Sequence, residues 1–300
     1  MVKKPTSAVN QDTPQGLVLA IMAYGLWGML PLYMDKLAHV SPAEIVAHRA
    51  IWSIPVAATV LILLRRTDTL RTAIKNPRML AMACLTAALI SINWGVYVYA
   101  ISVGRVADAA LGYYINPLFS MFLAVVLLGE QPNRAQLIAI GLAAIAVVVL
   151  FVLADRPPWV PLGLSVTWGF YAYFKKSLPI GPNQGFLLEV LILSVPAVIY
   201  VVFLLGTGGG HFAKEATDTA LLLGCGVVTA VPLLLYANGA KKIRLSTAGI
   251  LQYLAPSMIF LIAIFVFGEE IDTGRKIAFP LIWLALIIYS GAMLRDMRKA

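Results

Sequence analysis

Long apolar stretches, interrupted by short clusters of charge, proline and glycine, run almost the whole length of this 300-residue chain. Bounded by those clusters, they predict ten helices, each close to the roughly 20 residues that the hydrocarbon core of a bilayer demands. Five fall in the first half: Gly16 to Met34, Glu44 to Leu64, Met79 to Val103, Asp108 to Leu128 and Ala135 to Ala154. Five fall in the second: Val160 to Phe174, Gln184 to Leu205, Thr219 to Gly239, Ser246 to Phe267 and Ile277 to Leu294. The loops left between them are too short to hold a soluble domain. Lys3 and Lys4 precede the first run as in a secretory leader, but the run exceeds leader length and lacks a small-residue cleavage site, so it reads as retained.

Composition sharpens this into an all-α polytopic membrane protein. Hydrophobic residues make up 60% of the chain, charged ones 12%, and the mean hydropathy is +0.86, which excludes disorder as well as a soluble fold. The net charge of +9 would suggest nucleic acid on a soluble domain. Here it sorts by loop instead, with 16 Lys and Arg on one side of the ten-helix arrangement, 6 on the other and Arg49 within a helix. The positive-inside rule then predicts that both termini are cytoplasmic. Cys84 and Cys225 lie inside apolar runs and read as small core hydrophobes.

The chain also repeats itself. At an offset of 141, Trp27 and Gly28 fall on Trp168 and Gly169, Ser53 on Ser194 and Pro55 on Pro196. At an offset of 139, Tyr97 falls on Tyr236, Arg105 on Arg244, Tyr114 on Tyr253, Pro117 on Pro256, and Gly129 and Glu130 on Gly268 and Glu269. The unit is five helices. An odd number of crossings makes the second copy enter from the opposite face, so the halves, residues 16–154 and 155–295 between tails at 1–15 and 296–300, are expected to be inverted repeats around a central cavity. Such halves can exchange conformations and expose one midplane site to each side in turn, the design of a secondary transporter.

Intramembrane polar groups are costly and mark candidate sites. On the second helix His48 and Arg49 lie deeper than Glu44, which reads either as functional or as a solvated helix-start acid. Arg49 suits a substrate carboxylate or phosphate, or else pairing with Glu44, Asp108 or a helix carbonyl end. His48 suits a proton carrier or a neutral link between helices. Asn93, Trp94 and Tyr97 share a face of the third helix, where the amide serves either a solute or a neighbouring helix. Tyr113, Tyr114 and Asn116 on the fourth, with Pro117 expected to break that helix, answer to Gln252, Tyr253 and Pro256 on the ninth. Trp168 joins them from the sixth, beside Tyr171 and Tyr173. Asp108 and Glu189 complete, with His48, the candidates for proton coupling. The Ala135, Ala139, Ala143 ladder predicts a close helix contact, either internal or the seam of a homodimer.

Enzymatic machinery is missing. The chain has no phosphate-binding glycine loop ending in Lys and Ser or Thr, no zinc-protease helix motif and no serine elbow, so neither a cofactor nor a metal is expected. The classes left are a permease, a receptor or scaffold that binds without transporting, and, more remotely, an intramembrane enzyme.

The segments HRAIWS (His48 to Ser53), NWGVYVYA (Asn93 to Ala100), LGYYINPL (Leu111 to Leu118) and LQYLAPSMIFLIAIFVFGE (Leu251 to Glu269) resemble the RarD group of EamA transporters, in the drug/metabolite transporter superfamily. The resemblance spans nearly the whole chain. It implies ten helices in two inverted five-helix halves, cytoplasmic termini, a place in a bacterial inner membrane, and export of amino acids, drugs or other small metabolites. Asp108 departs from it, standing where the family pattern has Glu.

Overall fold

The computed structural model describes residues 13–63, 75–128, 132–177, 180–243, 247 and 251–299. Among these, ten α-helices run in chain order: α1 (Pro14–Asp35), α2 (Pro42–Leu63), α3 (Pro77–Ser102), α4 (Val106–Leu128), α5 (Arg134–Leu153), α6 (Trp159–Ser177), α7 (Pro182–Thr207), α8 (Ala216–Gly239), α9 (Leu254–Phe265) and α10 (Thr273–Lys299). A 3-10 turn at Ala240–Lys242 follows α8, and no strand occurs among the described residues. Eight of the ten, all but α6 and α9, are long and apolar enough to cross a membrane. Lys3 and Lys4, the loop charges Arg65, Arg66 and Arg71, the Gly129 and Glu130 pair, Arg244, and Ser246 at the expected start of the ninth helix lie outside the described residues.

Local chemistry sets several helix ends. Asn76 caps α3 by accepting from the backbone N–H groups of Arg78 and Met79, and Asn133 forms a reciprocal capping box with Gln136 at the start of α5. Gly104 (φ 66°) and Gly208 (φ 68°) take the left-handed conformation just past α3 and α7, and the backbone N–H groups of Arg105 and Gly209 return to the carbonyls of Ala100 and Leu204.

One expectation about proline is corrected and one holds. Pro117 does not break α4, which continues through it to Leu128. The donor that Pro117 lacks leaves a carbonyl one turn back without its helical partner, a loss that helices packed among neighbours in a bilayer tolerate. The ninth helix is interrupted as expected: Leu251 is helical, Gln252 and Tyr253 form a turn, and α9 begins at Leu254 with Pro256 as its third residue, in the first turn where an N–H has no intrahelical partner to lose.

The main helix pairs are unchanged when each helix of the first half is exchanged for its counterpart in the second. α5 packs on α10, α2 on α7 and α4 on α9, each a pair of counterparts, while α1·α8 answers to α6·α3, α1·α9 to α6·α4, and α2·α8 to α7·α3. Two close approaches obey the same exchange. A Cβ built at Gly28 on α1 would lie 2.7 Å from the Met258 Cβ on α9, and one at Gly169 on α6 would collide with the ring of Phe119 on α4. Phe119 and Met258 are themselves counterparts at the offset of 139. The alanine ladder has an internal partner: Ala139, Ala143 and Ala146 on α5 are buried in one core cluster with Ala278, Ile282 and Ala285 on α10.

Because the Gly28 contact is with a backbone-proximal Cβ, Gly28→Ala is expected to lower the melting temperature of the detergent-solubilised protein, costing roughly 1–3 kcal/mol as an overpacked contact. Gly141→Ala, where nothing lies within 4 Å, should leave it unchanged or raise it.

Candidate functional site

A cavity of about 180 Å³ lies between the two halves, several times the roughly 30 Å³ share of one water. Its wall contains eight of the residues expected from sequence: Arg49, Asn93, Trp94, Tyr97, Tyr113, Asn116, Trp168 and Gln252. Much of the rest follows the repeat. Trp27 is the counterpart of Trp168 at the offset of 141, and Ile90, Trp94, Tyr97, Tyr113 and Asn116 are those of Thr229, Leu233, Tyr236, Gln252 and Ala255 at 139. Trp27 and Tyr236 were legible in the sequence as counterparts of Trp168 and Tyr97. Tyr24 sits one turn before Trp27. Ile90, Thr229, Leu233 and Ala255 carry no chemical signal of their own.

One end of the cavity is aromatic. The rings of Tyr24, Trp27 and Tyr236 contact one another edge-on or tilted, with centroids 5.6 to 5.7 Å apart. The other end is polar. Arg49 donates from Nε to the Thr229 hydroxyl at 3.0 Å, and its guanidinium lies 4.7 Å over the Trp94 ring. The Tyr97 and Tyr113 rings lie 5.8 Å apart. Asn93 spans α3 and α6, donating to the Leu164 carbonyl at 3.0 Å and the Thr167 hydroxyl at 2.9 Å, so it joins helices as well as lining the wall.

Among the described residues, the wall does not include His48, Tyr114 or Tyr253. His48 turns outward from it: Nδ1 accepts from Trp52 Nε1 at 2.9 Å, and the ring lies 4.7 Å from that of Phe212. Tyr114 shares a hydrogen bond of 2.7 Å with the Ser257 hydroxyl and meets the edges of Phe279 and Trp283. Tyr253 packs against the main core at the start of α9. The helical period explains the first two, since His48 and Tyr114 are chain neighbours of the wall residues Arg49 and Tyr113 and point about 100° away from them, whereas Tyr253 follows the wall residue Gln252 in the turn before α9.

Asp108 and Glu189 also lie off the wall, held in ion pairs. Asp108 binds Arg105 at 2.6 Å and Arg275 at 2.7 Å, and Arg275 also binds Asp272 at 2.6 Å. Arg105 donates in addition to the Pro157 carbonyl at 2.9 Å, and the Ala107 N–H donates to Glu269 at 2.9 Å, so the network ties together the α3–α4, α5–α6 and α9–α10 connections. Burial raises the Glu269 carboxyl above the usual glutamate range despite that hydrogen bond. Glu189 pairs with Lys175 at 2.6 Å and accepts from the Tyr171 hydroxyl at 3.2 Å.

Glu44 is likewise buried rather than solvated. It accepts from the backbone N–H groups of His211 and Phe212 at 2.7 and 3.2 Å and contacts His211 Nδ1 at 3.0 Å. His39 meets Asp218 at 3.1 Å nearby, so the α1–α2 and α7–α8 connections are tied at one end of the bundle.

The profile of the EamA-like transporter family matches this chain twice, over residues 14–152 and 159–291. The chain is 40% identical to Protein RarD of Streptomyces exfoliatus over 286 residues, 95% of this chain and 91% of that protein. It is 38% identical to an uncharacterized transporter of Vibrio cholerae serotype O1 over 282 residues, 94% and 93% of the two chains. One crystal structure superposes with a TM-score of 0.60 at 18% identity, covering 93% of this chain and 98% of the other, a likeness of fold.

Asp108→Asn leaves Arg105 and Arg275 buried without their shared counter-ion. It is expected to cost about 3–5 kcal/mol, seen as a lower melting temperature or failure to accumulate in membranes.

Proposed function

The chain belongs to the EamA-like transporter family, and on that premise we propose that it is a permease that carries a small organic solute out of the cell by alternating access through the cavity between its halves. The observation that carries this reading is the composition of the wall: six pairs of counterparts, from Trp27 and Trp168 to Asn116 and Ala255, enclose one space. Halves of five helices with opposite orientation can exchange conformations about such a space and open it to either side. In this reading both termini are cytoplasmic in the inner membrane, and the end tied by Glu44, His211 and the Asp108 network is the outer face. A solute would rest its apolar body on Tyr24, Trp27 and Tyr236 and its polar groups near Arg49, Asn93 and Gln252.

His48, Asp108 and Glu189 stand off the wall, and the two acids are already ion-paired. That arrangement supports transport without an obligatory proton. An untargeted metabolite comparison of overexpressing and deleted cells would nominate the solute. In proteoliposomes the purified protein should then catalyse counterflow of that solute with no imposed pH gradient. Asn93→Ala, Tyr113→Ala and Gln252→Ala combined should reduce it at least about tenfold, the expected consequence of losing several polar contacts. Saturable binding without flux would instead identify a receptor, and undiminished flux in the triple variant would remove the cavity from the pathway.

A further inference from the structure

We propose that the solute is a small monocarboxylate with an aromatic or apolar body, bound through Arg49, and that a hydroxyl or similar donor beside the carboxylate is read by Asn116. The inference rests on the transport reading for its direction of travel but on the cavity alone for its chemistry.

Arg49 is 4% exposed, and among the described residues no carboxylate forms an ion pair with it. The two acids that sequence offered as partners are committed elsewhere: Glu44 to His211 and Phe212, Asp108 to Arg105 and Arg275. Its electrostatic neighbours are Cys225, Tyr113 and Tyr97. A buried charge with no counter-ion is unfavourable unless something supplies one. The charge is not a feature of the repeat, because the counterpart of Arg49 at the offset of 141 is Val190, buried and apolar.

Among the described residues, three polar atoms of the wall have no hydrogen-bond partner: Nη1 of Arg49, the hydroxyl of Tyr97 and Oδ1 of Asn116. Tyr97 is 1% and Asn116 8% exposed, so neither is satisfied at a surface. Two of the three can donate to a carboxylate, and the third accepts from a donor next to it. The Arg49 fork holds Nε on Thr229, which fixes its plane, and leaves Nη1 buried without a partner.

Charge decides between classes. The wall carries one cation and no acid among the described residues. A monocarboxylate brings the occupied cavity to neutrality. A zwitterion would leave the Arg49 charge uncompensated overall and place an ammonium where no carboxylate receives it, and a phosphate dianion would overshoot. The Tyr24, Trp27 and Tyr236 cluster supplies the surface for a ring or branched chain.

The test uses mandelate, an aromatic 2-hydroxy monocarboxylate, against mandelamide, phenylglycine and inorganic phosphate. Binding to the full-length detergent-solubilised protein is measured by calorimetry, and counterflow of labelled mandelate in proteoliposomes. Mandelate should bind at least about tenfold more tightly than its neutral amide, the zwitterionic phenylglycine or phosphate, a comparison that needs no variant. Arg49→Gln should weaken mandelate by about 10- to 100-fold while leaving mandelamide unchanged, and Arg49→Lys should restore part of the loss. Tyr97→Phe and Asn116→Ala should each weaken it less. No saturable binding of mandelate, equal binding of the amide, tighter binding of phenylglycine or phosphate, or retention of affinity by a folded Arg49→Gln protein would each overturn the proposal. Arg49-dependent binding without counterflow would sink the transport reading and leave the carboxylate site standing. Counterflow of a neutral solute independent of Arg49 would do the reverse.

Discussion

Burying charge inside a bundle that spans a bilayer is the constraint on which this structure turns. Water is not there to solvate an isolated ion, so each one needs a partner or a purpose. Asp108 holds two arginines, Glu189 holds Lys175, and Glu44 holds the backbone and ring of His211. The Asp108 and Glu44 contacts lie at helix ends and stitch connections together, while Glu189 ties α7 to α6. Among the described residues no acid pairs with Arg49, which stands on the wall of the cavity. The same physics that makes the paired groups structural makes the unpaired one the strongest pointer to a ligand.

The second constraint is close packing under pseudo-symmetry. Gly28 and Gly169 are small because Met258 and Phe119 come up against them, and the four residues are two pairs of counterparts. Helices brought together in this way hold the two halves in matching roles. The cavity inherits the relation, with tryptophan answering to tryptophan and Tyr97 to Tyr236. Its departures from symmetry are chemical: Arg49 against Val190, Tyr113 against Gln252, Asn116 against Ala255. The frame is shared by the two halves, and the side chains that differ between them bring the cation and the amides to the wall.

Hydropathy and charge distribution were enough to read the class of protein and the number of helices, because lipid imposes length and apolarity on each span separately. The family was legible in segments such as LGYYINPL, and eight wall residues were legible as polar or aromatic groups within spans. Periodicity could not say which side of a helix faces the cavity. His48 beside Arg49, and Tyr114 beside Tyr113, differ by one position and about 100° of rotation, and only the packing of α8 and α9 against α2 and α4 decides which of each pair looks inward. Nor could it say that Pro117 leaves α4 whole, since neighbouring helices determine whether a missing donor bends the axis. The ion pairs joining residues 167 apart, as in Asp108 with Arg275, form between helices remote in sequence, and their choice of partner is a property of the assembled bundle. What each segment must be was written along the chain, one span at a time. Which charges pair, and which one is left facing the space between the halves, emerged only when all the spans were packed.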